Sequence, residues 1–225
     1  MDISTFVAAA AHDMKNSVSV IAAYLEDALA KMATEPPSPA AQSTAQALYE
    51  TQRVNGNLVQ LMAIFKIEDG MYPFEPAEVE LDEFADELMI RARPLAALRG
   101  LTLSCDIQPG LQSWVFDRDL IASVVIQSLF NALRYAGHRV GLSLRAVAGR
   151  LEMEVTDDGP GFPPLMLEQG FASRQGIDLR TGSTGLGLYF SRLAAGLHRR
   201  GDATGSTRLE NGGELGGGRF ILELP

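Results

Sequence analysis

The sequence predicts two unlike parts: an α-helical hairpin that closes to a four-helix bundle as a dimer, followed by an α+β sandwich. Three observations predict this. Residues 5–33 place apolar side chains at alternating steps of four and three. A proline-rich break then separates this stretch from a second helical one. Farther on, helical patterns are mixed with short runs of alternating apolar residues that fall in hairpin-like pairs rather than regular βαβ repeats.

The first helix carries Val7, Ala11, Met14, Val18, Ile21, Leu25, Ala28 and Met32 in one seam of heptad spacing, with Ser4 or Thr5 as its cap. Glu35-Pro36-Pro37-Ser38-Pro39 ends it, because proline lacks the N–H and clashes with the preceding turn. Ser38-Pro39 also restarts helix, as N-cap followed by proline at the first helical position. The second helix runs to about Ile67 with Val54, Leu58, Leu61 and Phe65 on one face. One hairpin has a seam but little core, so two copies are expected to complete a bundle. The stretch from Glu68 to Pro76 breaks periodicity as a linker. Beyond it the reading places helices at 81–99, 117–136 and 185–197, and strands at 101–107, 140–147, 150–157, 204–210 and 218–224. The expected domains are 1–68, a linker at 69–77, and 78–225.

Of the 225 residues 46% are hydrophobic, enough for real cores. The 19 basic and 28 acidic residues give a net charge of −9, which argues against a nucleic-acid surface. The single cysteine, Cys105, excludes an internal disulfide and fits a reducing, cytoplasmic compartment. Its alternating neighbours Leu101, Leu103 and Ile107 make it a buried strand residue rather than a nucleophile. No apolar run is long enough to span a membrane, and the N-terminus lacks the basic start of a secretory signal.

Four stretches carry chemistry. His12 lies on the first helix beside the seam, where a neutral imidazole is a good nucleophile near pH 7. Asp13 is placed to take the ring proton, and Asn16 shares its face one turn later. Gln127, Asn131 and Arg134 fall on one face of a helix whose other face is apolar. There an amide oxygen of Asn131 suits Mg²⁺ and Arg134 suits phosphate oxygens. Asp157 ends a strand, where its carboxylate can accept a hydrogen bond from an exocyclic amino group such as that of adenine. Gly159 and Gly161 then allow close backbone approach. The run Gly182-Ser183-Thr184-Gly185-Leu186-Gly187-Leu188 leads straight into a helix, which makes a ready anion site. Arg174 lies between the two glycine clusters, in a composition that suits a lid. Taken singly, each stretch also reads as an exposed helix face or an ordinary turn; their order along the chain is what joins them.

Together they resemble the catalytic end of a sensor histidine kinase of bacterial two-component signalling, over nearly the whole chain. His12-Asp13-x-x-Asn16 resembles the family's phosphoacceptor box, and Gln127 to Tyr135 its N box, with Asn131 at the magnesium-binding position. Asp157-x-Gly159-x-Gly161 resembles the first glycine box. Gly182, Thr184, Gly185, Leu186 and Gly187 fall in the second, and Gly216-Gly217-Gly218-Arg219-Phe220 is similar to the closing strand. The resemblance implies a Bergerat-type ATP-binding domain, ATP and Mg²⁺ as cofactors, and a homodimer. It also implies autophosphorylation of His12, transfer to an aspartate of a response regulator, and removal of phosphate from that regulator aided by Asn16. Eleven residues precede His12, so the input is expected from a separate sensor protein, unless this is an excised core. The sequence departs from the family at Ser17, where proline is common, at Gln127 in place of an Asn, and in the lid, where Gly170-Phe171-Ala172 is the nearest match. The alternatives are a phosphotransfer scaffold with a decayed ATP domain, and an ATPase akin to gyrase or the heat-shock chaperones. The second needs a carboxylate where Gln127 stands.

Overall fold

The computed structural model describes residues 3–32, 38–169 and 185–225. Contacts divide the chain into two compact units, Met1–Tyr72 and Pro73–Pro225.

The first unit is a hairpin of two packed helices, α1 (Ile3–Lys31) and α2 (Pro39–Glu68). Ser38 caps α2, its hydroxyl accepting the Ala41 N–H at 3.1 Å, with Pro39 in the first turn. The other end closes as a Schellman motif. Gly70 sits at φ +67, its N–H bonds the Ile67 carbonyl, and the Met71 N–H reaches back to Lys66 at 2.7 Å. α1 runs unbroken through Ser17, whose hydroxyl donates to the Asp13 carbonyl at 3.1 Å.

The expected seam splits in two. Ala11 is buried, and Val18, Leu25, Ala28 and Met32 are half-buried, whereas Met14 and Ile21 stay 54% and 51% exposed and Tyr24 is 72% exposed. On α2 the buried row is Ala41, Tyr49, Gln60 and Ile64. The expected apolar row is only partly covered within one hairpin: Val54 is exposed, and Leu58, Leu61 and Phe65 are half-exposed. A helix with apolar residues at a and d positions presents two flanks, and one neighbour covers only one of them.

The second unit layers helices on one face of a mixed sheet. Its elements are β1 (Ala77–Glu80), α3 (Leu81–Leu98), β2 (Thr102–Ile107), β3 (Ser113–Phe116), α4 (Arg118–Tyr135), β4 (Arg139–Val147) and β5 (Arg150–Asp157). They continue with α5 (Pro164–Gln169), α6 (Leu186–Leu197), β6 (Arg199–Arg200), β7 (Ala203–Thr204), β8 (Ser206–Asn211) and β9 (Gly218–Leu224). The main sheet has the order β2-β4-β5-β9-β8, parallel only between β2 and β4. β1 pairs with β3, and β6 with β7, in small antiparallel ribbons. α3 lies along β2, α4 over β4 and β5, and α6 over β8 and β9.

The register sets one row of side chains towards the helices: Val140, Leu142 and Leu144 of β4, Leu151, Met153 and Val155 of β5, and Phe220, Leu222 and Leu224 of β9. Period-two alternation requires this, and all nine are buried. The opposite face carries an ion-pair network in which Arg208 contacts Glu152, Glu210 and Glu223, and Arg219 contacts Glu154 and Glu210.

Cys105 corrects the sequence reading. It stands on the helix side of the sheet, opposite Leu142, yet it is exposed because β2 is the edge strand. Its thiol is pushed up to about 11 by desolvation and by the carboxylates of Asp86, Asp106 and Asp82, which keeps it protonated and poorly nucleophilic.

Candidate functional site

Asp157 ends β5 with its side chain towards the helices, and it is only 7% exposed. Alternation along Leu151, Met153 and Val155 carries the same face one step beyond the apolar core, so a carboxylate arrives where an apolar residue would otherwise sit. One carboxylate oxygen, Oδ1, accepts the Gly159 N–H at 2.8 Å and the Gly218 N–H at 3.2 Å. The other, Oδ2, accepts no hydrogen bond from any described residue.

Glycines crowd this carboxylate. A Cβ on Gly217 would lie 2.5 Å from the Asp157 carbonyl oxygen and 2.6 Å from Oδ1. One on Gly218 would lie 2.9 Å from Oδ2 and 3.1 Å from the Phe162 ring. A Cβ on Gly159 would run into the carbonyl oxygen of Tyr135. Neither Gly217 nor Gly218 carried a site role in the sequence reading; a glycine run opening a strand was the signal available.

The next residue, Asp158, has a different task. Its Oδ1 accepts the N–H groups of Gly137, His138 and Arg139 at 2.9, 2.9 and 3.0 Å. These backbone donors, His138 foremost, hold its carboxyl below the usual carboxylate range. Asp158 thereby ties the loop after β5 to the C-terminal end of α4.

α4 starts at Asp117, whose Oδ1 accepts the Leu120 N–H at 3.0 Å and whose Oδ2 accepts the Glu75 N–H at 3.1 Å. Its inner face is buried through Leu120, Ile121, Val124, Val125, Leu129 and Leu133. The polar face carries Gln127, half-buried, and Asn131, Arg134 and Tyr135, exposed. The Arg134 guanidinium sits 5.6 Å from the Tyr135 ring centre. Among the described residues no cluster of three His, Cys, Asp or Glu side chains could hold a metal. Neutral amides with one arginine fit a cation that arrives with phosphate ligands of its own.

α6 follows Gly185, left-handed at φ +63, which as N-cap has no side chain to bond the first turn. Leu186 and Gly187 form that turn, and the helix packs beside α4. Gly182, Thr184 and Arg174 lie outside the described residues, as does Gly170-Phe171-Ala172. At the far end of α6, His198 is 4% exposed. Its Nδ1 lies 2.9 Å from the Ala194 carbonyl, which only accepts, so Nδ1 carries the proton and Nε2 accepts the Asp117 N–H at 3.0 Å. Burial holds its pKa below the ordinary histidine value. His198 thus locks α6 to the start of α4, a tertiary partnership with no local sequence signal.

The structure therefore gathers Tyr135, Asp157, Gly159 and Gly161 at one end of β5, with Gln127, Asn131 and Arg134 along α4 leading to it. His12, Asp13 and Asn16 belong to α1 in the other unit, where Asp13 and Asn16 are exposed.

Residues 116–225 match the family described as histidine kinase-, DNA gyrase B-, and HSP90-like ATPase. The sensor protein CopS of Pseudomonas syringae pv. tomato is 28% identical over 76% of this chain and 34% of its own length. The sensor protein SrrB of Staphylococcus aureus is 25% identical over 98% of this chain and 37% of its own. These likenesses support a histidine kinase catalytic core. It spans about a third of the length of those curated relatives. The fold agrees. The Acinetobacter baumannii histidine kinase AdeS matches 95% of this chain and 96% of its own at a TM-score of 0.59 and 16% identity. Full-length ShkA, solved with AMPPNP, covers the whole chain and 46% of its own at 0.64 and 20% identity. The ATPase-type match falls within the α+β unit, and no described helix is long and apolar enough to cross a membrane.

Proposed function

We propose that this core binds ATP, phosphorylates His12 and passes the phosphoryl group to an aspartate of a response regulator. The observation that carries the reading is Asp157: a buried carboxylate with one oxygen fixed by two backbone N–H groups and the other accepting from no described residue. A fixed, desolvated acceptor suits the exocyclic amino group of adenine, and would reject a base that presents a carbonyl there.

In this reading the adenine lies against Asp157 with Gly159 and Gly161 below it. The phosphates extend towards Asn131, Arg134 and the first turn of α6, with Gln127 as a further amide. Asn131 would hold Mg²⁺, whose charge offsets that of the phosphates. A ring nitrogen of His12 attacks the γ-phosphorus; a P–N bond forms, the bond to the β–γ bridging oxygen breaks, ADP leaves, and Asp13 takes the imidazole proton. The exposed apolar flank of the hairpin supports a homodimer. A response regulator, and a separate sensor, would be the protein partners, with Asn16 placed to orient water for dephosphorylation. The test is titration of ATP into wild type and Asp157→Asn. Wild type should bind, and the variant, which keeps Oδ1 but presents an amide, should lose a hundredfold or so in affinity. Equal binding by both would remove Asp157 from the site; no binding by wild type would favour a scaffold with a decayed ATP domain.

A further inference from the structure

The loop leaving β5 is braced from three sides. Asp158 ties it to α4 and Asp157 ties it to β9. The third brace is Asn211, the last residue of β8. Its Oδ1 accepts the Phe162 N–H at 2.7 Å, and its Nδ2 donates to the Phe162 carbonyl at 2.8 Å. One side-chain amide thus satisfies both backbone groups of one residue, fixing its orientation as well as its position. The preceding residue is fitted to this clamp: Gly161 lies at φ +76, and a Cβ there would come within 2.7 Å of Asn211 Oδ1. The clamped residue matters because its ring covers Gly218, beside Asp157 Oδ2. Without the clamp, the ring is free to leave the carboxylate.

We propose that Asn211 is a positioning residue for adenine nucleotide binding, holding Phe162 as a wall beside the Asp157 carboxylate. This rests on the ATP-site reading above. Asn211 is itself exposed, so in the empty protein water replaces its bonds at little cost, and its effect falls on the bound state.

The experiment titrates wild type, Asn211→Ala and Asn211→Asp with ADP and with ATP, and melts each protein without nucleotide. Two neutral hydrogen bonds predict about a tenfold loss for the alanine variant. The loss should be equal for both nucleotides, because the wall stands at the base and not at the γ-phosphate. The aspartate variant keeps the volume of asparagine but turns an oxygen towards the Phe162 carbonyl, so it should bind no better than the alanine one. Nucleotide-free melting temperatures should stay within about 3 °C of wild type. Unchanged affinity in both variants, a loss confined to ATP, or a larger fall in melting temperature that accounts for the lost affinity would each overturn the proposal. If wild type binds neither nucleotide, the ATP-site reading fails first and the role of Asn211 with it.

Discussion

The two units solve the problem of burying apolar surface in opposite ways. In the α+β unit, helices cover the inner face of the sheet over its central strands, and Phe84, Phe116, Phe190, Leu129 and Leu144 are all fully buried. In the hairpin, Met14, Ile21 and Tyr24 are left in solvent on one helix and Val54 on the other. One unit has a core of its own; the other has half of one. The difference teaches that the α+β unit packs a core of its own, while the hairpin leaves an apolar flank that the proposed dimer would cover.

Breaking the hairpin side should give the largest effect on assembly. Ile21→Glu places a charge on the open flank of both copies, and sedimentation should show dimers falling to monomers, with about 3 kcal/mol lost per dimer. The melting transition of the α+β unit should not move. A dimer that survives would show that the flank is not the interface.

On the other unit, close packing around Asp157 predicts sensitivity to a single methyl group. Gly217→Ala should cost about 2 kcal/mol in denaturant unfolding, because the atoms it meets are backbone and a fixed carboxylate. Gly196→Ala, in a helix with nothing within 4 Å of the new methyl, should instead stabilise by about 0.5–1 kcal/mol. Similar costs at both positions would mean that the packing argument is wrong.

A subtler asymmetry concerns pH. His198 is held neutral in the folded unit by burial, so its folded pKa lies below the unfolded value of about 6.5. The unfolded chain therefore binds more protons as pH falls, and stability present above pH 6.5 is lost progressively below it. Protonating Nε2 would also set an N–H against the Asp117 N–H. The melting temperature of the α+β unit should fall from pH 7 to pH 5.5, and a His198→Gln variant should lose this part of the slope while losing some stability throughout.

Much of this was legible in the sequence. The helices and the five main strands follow from periodicity, and the Ser38-Pro39 cap from local rules. Depth was harder to read. Cys105 shows the right face but not its exposure, since alternation reports a side of the sheet and not its distance from the edge. The β1–β3 and β6–β7 ribbons are too short for periodicity to register, and α5 starts at the second of two prolines that read as loop. Asp157, Gly159 and Gly161 stood out as a motif. Asp158, Asn211 and His198 did not, and Gly217 and Gly218 read as the start of a strand rather than as part of the site, because each acts through a partner distant in sequence. The sequence thus displays the groups proposed to face a nucleotide better than the braces that hold them.

The most direct measurement is incubation with γ-labelled ATP and Mg²⁺, comparing wild type with His12→Gln. Wild type should take up an acid-labile, base-stable label, and the variant, which leaves the whole α+β unit intact, should bind ATP equally well and take up none. Label that persists in the His12→Gln protein, or none in a wild type that binds ATP, would contradict the account.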